Sequence, residues 1–171
     1  GIDLGGTKIE GIVLKSRENP EEVIRHRVNT EEEKGYSQVI SNIKSLVDYI
    51  ESNINHKFSK LGIGTPGTID PESGLLKNSN SQCLNGMPIQ IDLSKVLNKS
   101  ILIQNDANCF ALAETLLGSV KDHHPNAKNV FGIIMGTGVG GGVIINGKTV
   151  YGSQGIGGEW GHTTVSYTHL R

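Results

Sequence analysis

The chain has 171 residues, 36% of them hydrophobic and 19% charged, which is enough to bury the core of an ordinary domain. Its 16 lysines and arginines against 17 aspartates and glutamates leave a formal net charge of −1. That balance gives no electrostatic footprint for nucleic acid or an anionic membrane, and it points to a small soluble substrate. Two cysteines without paired spacing, Cys83 and Cys109, and no signal-like or membrane-length apolar run predict buried thiols in a reducing cytoplasm.

In chain order, residues 1–3 and 8–14 read as strands on either side of a Gly5-Gly6 turn, with a third antiparallel strand at 23–28. From Tyr36 onward Val39, Ile40, Ile43, Leu46, Val47 and Ile50 recur at helical spacing, with Ser41, Lys44, Asp48 and Glu51 on the wet side. A strand at 60–64 ends at Pro66-Gly67, which turns the chain at the strand's carboxyl end, where ligand loops of α/β sheets gather. Residues 70–100 are polar and turn-rich, with one short helix expected at 92–97.

A brief strand at 101–104 then meets Asn105 or Asp106 as the cap of a helix running through Phe110, Ala111, Leu112, Thr115 and Leu116 to near Gly118. Residues 121–128 read as an exposed connection and a domain boundary. Beyond it, strands at 129–135 and 142–145 flank a second glycine turn, and Asn146-Gly147 signals a hairpin into a strand at 148–151. The meander pattern thus occurs twice, an arrangement that predicts a nucleotide held by two hairpin turns.

Glycines let backbone N–H groups approach phosphate oxygens, and five glycines within residues 136–142 exceed what a tight hairpin needs. The same stretch matches the dinucleotide fingerprint G-x-G-x-x-G, and residues 142–149 match the P-loop expression G-x-x-x-x-G-K-[ST]. Both motifs require a helix directly after the loop, whereas here a β-branched strand and then a glycine-rich stretch follow. A nucleotide-binding oxidoreductase is therefore disfavoured.

Taken together, Asp3-Leu-Gly-Gly-Thr-Lys8, Asn105-Asp-Ala-Asn-Cys109, Gly136-Thr-Gly138 and Gly157-Gly-Glu-Trp-Gly-His162 resemble the ROK family (repressors, open reading frames and sugar kinases) of the actin/hexokinase superfamily. The resemblance implies an α/β fold: an actin-like, ribonuclease H-like domain with a mixed sheet and flanking helices over residues 1–120, and the start of a second similar domain over 121–164. It implies an ATP- and magnesium-dependent hexose kinase, a possible homodimer with no nucleic-acid or membrane partner. Residues 77–88 look most like the corresponding segment of bacterial fructokinases and mannokinases, where N-acetylglucosamine kinases usually differ, so fructose is the expected sugar.

Carried onto this sequence, the resemblance makes Asp106 the base that accepts the sugar hydroxyl's proton; read without it, Asp106 is a simple helix cap. Asp3 would organise magnesium through water, as the resemblance implies, or merely form a turn. Gly5, Gly6, Thr7 and Lys8, with Gly136, Thr137 and Gly138, would hold the nucleotide's phosphates, although Lys8 also reads as an exposed strand residue. Asn80, Asn105, Glu159 and His162 would bind sugar hydroxyls. His162 would also ligate a structural zinc in similar proteins, completed by three cysteines downstream that are missing here.

Residues 165–171 depart from the family pattern and read as a non-native, adapter-derived tail, so that His169 carries no function. With a start lacking methionine, they predict a piece of a longer protein whose 171-residue polypeptide is inactive by itself. The rival class is a sugar-sensing transcriptional repressor of the same family, which would carry a DNA-binding region ahead of the first strand. An intact Asp106 and glycine turn favour the kinase, because a sensor needs sugar affinity without phosphoryl transfer.

Overall fold

The computed structural model describes residues 1–16, 18–135 and 139–162, which fall into two units, one of Gly1–Asp106 and a second starting at Ala107. The first unit opens with the antiparallel meander β1 (Ile2–Leu4), β2 (Lys8–Leu14) and β3 (Glu22–Asn29). Next comes α1 (Tyr36–Ile54), which buries Val39, Ile40, Ile43, Leu46, Val47 and Ile50, the residues picked out by helical periodicity. It also buries Glu51, expected on the wet side, where the carboxylate meets Lys99 and accepts from the Phe58 amide. It ends at Asn55, which takes the left-handed conformation that short amide side chains tolerate. Tyr36 donates a 2.9 Å hydrogen bond to Asp92, and burial, followed by the Asp92 carboxylate, pushes its phenol well above its ordinary value.

β4 (Lys60–Thr65) leads through Pro66-Gly67 into a small hairpin, β5 (Thr68–Ile69) and β6 (Leu76–Lys77). This hairpin lies in the stretch where composition announces only turns. Asp70 organises it, its Oδ1 accepting from the amides of Glu72 at 3.0 Å and Ser73 at 2.9 Å. α2 (Ile89–Leu97) starts earlier than the expected 92–97 because Ile89 and Leu93, both fully buried, anchor its inner face to the core. β7 (Ser100–Asn105) closes the unit.

Five strands of the first unit form one mixed sheet ordered β3-β2-β1-β4-β7. β1 is antiparallel to β2 but parallel to β4, and β4 is parallel to β7 with Thr65 opposite Asn105. Ile2, Leu4, Ile9 and Ile63 of the sheet pack with α1, α2, Leu76 and Leu84 into a single apolar cluster. Burying a large aliphatic side chain in such a core contributes about 1.5–3 kcal/mol before entropy is subtracted.

α3 (Asp106–Leu116) begins directly where β7 ends, and the division between the units falls in its first turn. α4 (Ser119–His123) is a short helix that begins two residues before the expected connection at 121–128 and runs into it. β8 (Asn129–Met135), β9 (Val139–Ile145) and β10 (Lys148–Thr149) make an antiparallel sheet ordered β10-β9-β8. β9 starts three residues before the expected 142, taking Gly140, Gly141 and Gly142 into the ladder opposite Ile134, Ile133 and Gly132. The reason is close packing against α3. A Cβ on Gly142 would lie 2.5 Å from the Ala107 carbonyl oxygen and 2.9 Å from the Ala111 Cβ. Gly140 and Gly142 thus face α3, whereas a Cβ on Gly141 would lie 2.5 Å from the Gly158 carbonyl oxygen and 2.9 Å from the Phe131 ring. No helix among the described residues is long and apolar enough to cross a membrane.

Candidate functional site

Because β1, β4 and β7 run parallel, their carboxyl ends lie on one side of the sheet, and the chain leaves them through Gly5–Thr7, Pro66-Gly67 and Asp106 respectively. The resulting end of the first unit brings together most of the residues singled out in its sequence. Gly67 has φ +85°, and a Cβ there would lie 2.4 Å from the Lys77 carbonyl oxygen and 2.8 Å from the Ser79 amide nitrogen. Only glycine fits both demands. Its carbonyl accepts a 3.2 Å hydrogen bond from Asn105 Nδ2, which fixes the amide of that buried side chain.

Asn80 is exposed on the loop beside Gly67. Asn85 holds that loop from beneath, accepting from the Ser79 amide and donating to the Ser79 carbonyl, both at 2.9 Å. The Ser81 amide donates to Ser79 Oγ at 3.1 Å. On the other side the loop meets the first glycine turn, for a Cβ on Gly6 would come within 3.4 Å of Ser81 Oγ and 3.8 Å of Glu32 Oε2. Glu32 Oε2 and the fully buried Thr65 Oγ1 have no hydrogen-bond partner among the described residues. Buried oxygens of this kind mark a place that can accept a further donor.

The glycine turn itself is strongly held. Gly5 N–H donates to the Lys8 carbonyl at 3.0 Å, and buried Thr30 reaches it twice, through Oγ1 to the Gly5 carbonyl at 2.7 Å and through N–H to the Thr7 carbonyl at 2.9 Å. Thr7 and Lys8 are exposed. Asp3 stands opposite Glu10 on β2. Desolvation pushes its carboxyl up, the Glu10 charge adds to this, and Arg27 opposes both. One exposed carboxylate beside a glycine turn suits a magnesium ion, which keeps several waters and takes few protein oxygens.

Asp106 is the first residue of α3, where the helix dipole favours a negative charge. In the second unit, Glu159 Oε2 lies 3.5 Å, and Ala107 Cβ 3.4 Å, from the point a Gly140 Cβ would occupy, so the Glu159 carboxylate sits near the opening turn of α3. His162 closes a 3-10 turn at Trp160–His162. Its side chain lies outside the described residues, as do Gly136, Thr137, Gly138 and residues 165–171. Among the described residues no group of three His, Cys, Asp or Glu side chains is placed to hold a metal ion, so they do not make up a zinc site. Burial, and then the Glu32 charge, raises the Cys83 thiol, which fits an inert core cysteine.

Sequence reasoning missed Thr30, Glu32, Thr65 and Asn85. The only local signal for any of them is Asn85-Gly86, a turn dipeptide. The helix that both nucleotide motifs require is absent, since β9 follows the one and no helix begins among the described residues between β10 and Trp160.

The chain is 39% identical over 165 residues to an N-acetyl-D-glucosamine kinase of Aliivibrio fischeri, an alignment covering 96% of this chain and 52% of that protein. Among solved structures it is similar to a ROK hexokinase from Thermus thermophilus, with TM-score 0.80 and 30% identity over 97% of this chain and 53% of the other. It is also similar to a ROK family glucokinase from Streptomyces griseus in complex with glucose and AMPPNP, with TM-score 0.79 and 26% identity over 97% and 50% of the two chains. The chain spans about half the length of the curated relatives it matches. With the family's sequence pattern matched over residues 1–170 on a mixed five-stranded sheet of the same fold, the chain belongs to the ROK family.

Proposed function

We propose that the protein containing this chain transfers the γ-phosphoryl group of ATP to the 6-hydroxyl of a hexose. The observation that carries this reading is the grouping of the Gly5–Thr7 turn, Gly67, the Asn80 loop, Asn105 and Asp106 at one end of a single sheet. Phosphoryl transfer asks the protein for positioning and charge stabilisation, plus one carboxylate to accept the hydroxyl proton. Asp106 takes that proton, while Asn105, Asn80, Glu159 and His162 hold the sugar's other hydroxyls. Backbone N–H groups of the first glycine turn, with Thr7 and Lys8, hold the phosphates, as do Gly136, Thr137 and Gly138. Magnesium, organised near Asp3 through water, supplies charge neutralisation when bound.

For the sugar, the names of the relatives favour N-acetylglucosamine over the fructose expected from residues 77–88, and glucose is second because the hexokinase and glucokinase structures are more distant in sequence. Coupled assays of the full-length protein with N-acetylglucosamine, glucose, mannose and fructose test this, since specificity is a ratio of kcat/KM values. Asp106→Asn is expected to lower kcat by about 100-fold or more while preserving the fold. Turnover that survives Asp106→Asn, or no phosphorylation of any hexose by the wild type, refutes the reading.

A further inference from the structure

We propose that Thr30 is the positioning residue of the first glycine turn, setting which way its peptide groups face and thereby its affinity for phosphate. This inference rests on the reading of that turn as a nucleotide phosphate site.

Thr30 follows β3 and is fully buried. Its hydroxyl donates to the Gly5 carbonyl at 2.7 Å, and its amide donates to the Thr7 carbonyl at 2.9 Å. The strand end that carries it is fixed in turn by α1, where Asn42 Nδ2 donates to the carbonyls of Asn29 and Thr30, both at 3.1 Å. A run of hydrogen bonds therefore connects a core helix to the glycine turn.

Peptide geometry turns this anchoring into function. In a trans peptide the carbonyl and the following N–H point in opposite directions. With the Gly5 carbonyl drawn toward Thr30, the Gly6 N–H must face away from β3. Neither the Gly6 nor the Thr7 amide donates to another group among the described residues, so both remain available to an anion. Glycines on both sides of that peptide bond offer no Cβ to resist its rotation. Without the Thr30 hydroxyl, the peptide is free to turn over and present the negative end of its dipole to the phosphate.

The test uses the full-length protein with Thr30→Val, which keeps the branched shape but lacks the donor, and Thr30→Ser, which keeps the donor. Binding of adenylyl imidodiphosphate with magnesium is measured by calorimetry, together with separate KM values for ATP and sugar and with Tm. Thr30→Val is expected to weaken nucleotide binding and raise the ATP KM about tenfold, with the sugar KM within about twofold and with serine restoring the wild-type value. Unchanged nucleotide affinity in a folded Thr30→Val protein overturns the proposal, as does equal loss of sugar and nucleotide affinity alongside a fallen Tm. A wild-type protein that does not bind the analogue instead overturns the phosphate reading of the turn. Should Thr30→Val fail to fold, the wild-type Gly6 amide resonance decides: it must shift on saturation with the analogue, and its staying in place refutes the proposal.

Discussion

Lys99→Met is expected to cost the first unit about 3–5 kcal/mol, although Lys99 is not a residue of the proposed site. Glu51, near the end of α1, and Lys99, between α2 and β7, have side chains only 4% and 7% exposed, and they meet at 2.7 Å. The same Glu51 Oε1 accepts from the Phe58 amide at 2.8 Å, and Lys99 Nζ also donates to the Phe58 carbonyl at 2.9 Å. Lys57 stands 3.9 Å from Oε2, but its side chain is 87% exposed and contributes little. Removing Lys99 therefore leaves a carboxylate out of water with one neutral donor, and the size of the loss is the cost of an uncompensated buried charge.

Glu51→Gln removes the charge but keeps an acceptor for the Phe58 amide. It should destabilise the wild type by a few kcal/mol, yet stabilise the Lys99→Met background by about 2 kcal/mol because no buried charge remains. Urea unfolding of the four proteins, followed by helical circular dichroism, gives the cycle. A Lys99→Met loss below about 1 kcal/mol, or a Glu51→Gln change that destabilises both backgrounds, would refute the reasoning.

The same pair predicts an acid limb. Burial raises the Glu51 carboxyl, but the Lys99 hydrogen bond, the Phe58 amide and the charges of Lys99 and Lys57 outweigh it, so its pKa ends below the ordinary value. A depressed carboxyl contributes stability above the unfolded pKa of about 4.3 and loses it as pH falls toward the folded one. The stability gap between wild type and Glu51→Gln should thus be level above that pH and narrow below it, and a gap that widens in acid contradicts the assignment. Gly67→Ala is expected to cost at least about 1 kcal/mol from its positive φ alone. It should also raise the sugar KM, because the new Cβ strikes the backbone under Asn80 and shifts the carbonyl that holds Asn105. Gly62→Ala, with no atom within 4 Å of its Cβ position, is the control for thermal unfolding and kinetics.

The sequence by itself determined the features that depend on neighbours along the chain. α1 is legible because its apolar residues recur with the helical period, and β2 and the β7–α3 junction because strand and cap residues sit side by side in sequence. Family membership was legible for the same reason, since short motifs hold their order and spacing. The tertiary structure decided what depends on distant partners. Placing β1 between an antiparallel β2 and a parallel β4 sets three carboxyl ends side by side, and no local propensity encodes a parallel pairing across some sixty residues.

Glycines 140–142 show the difference most directly. In sequence Gly140 and Gly141 end a loop and Gly142 starts a strand, while in the structure all three are strand positions, with no room for a Cβ at Gly142 against α3 or at Gly141 against Gly158. Thr30 and Asn85 likewise look like ordinary polar residues until a folded backbone brings the carbonyls and amides they bind within reach. Hydrogen bonds and close contacts act over a few ångströms of space rather than of chain, so only the folded arrangement assigns these residues their partners.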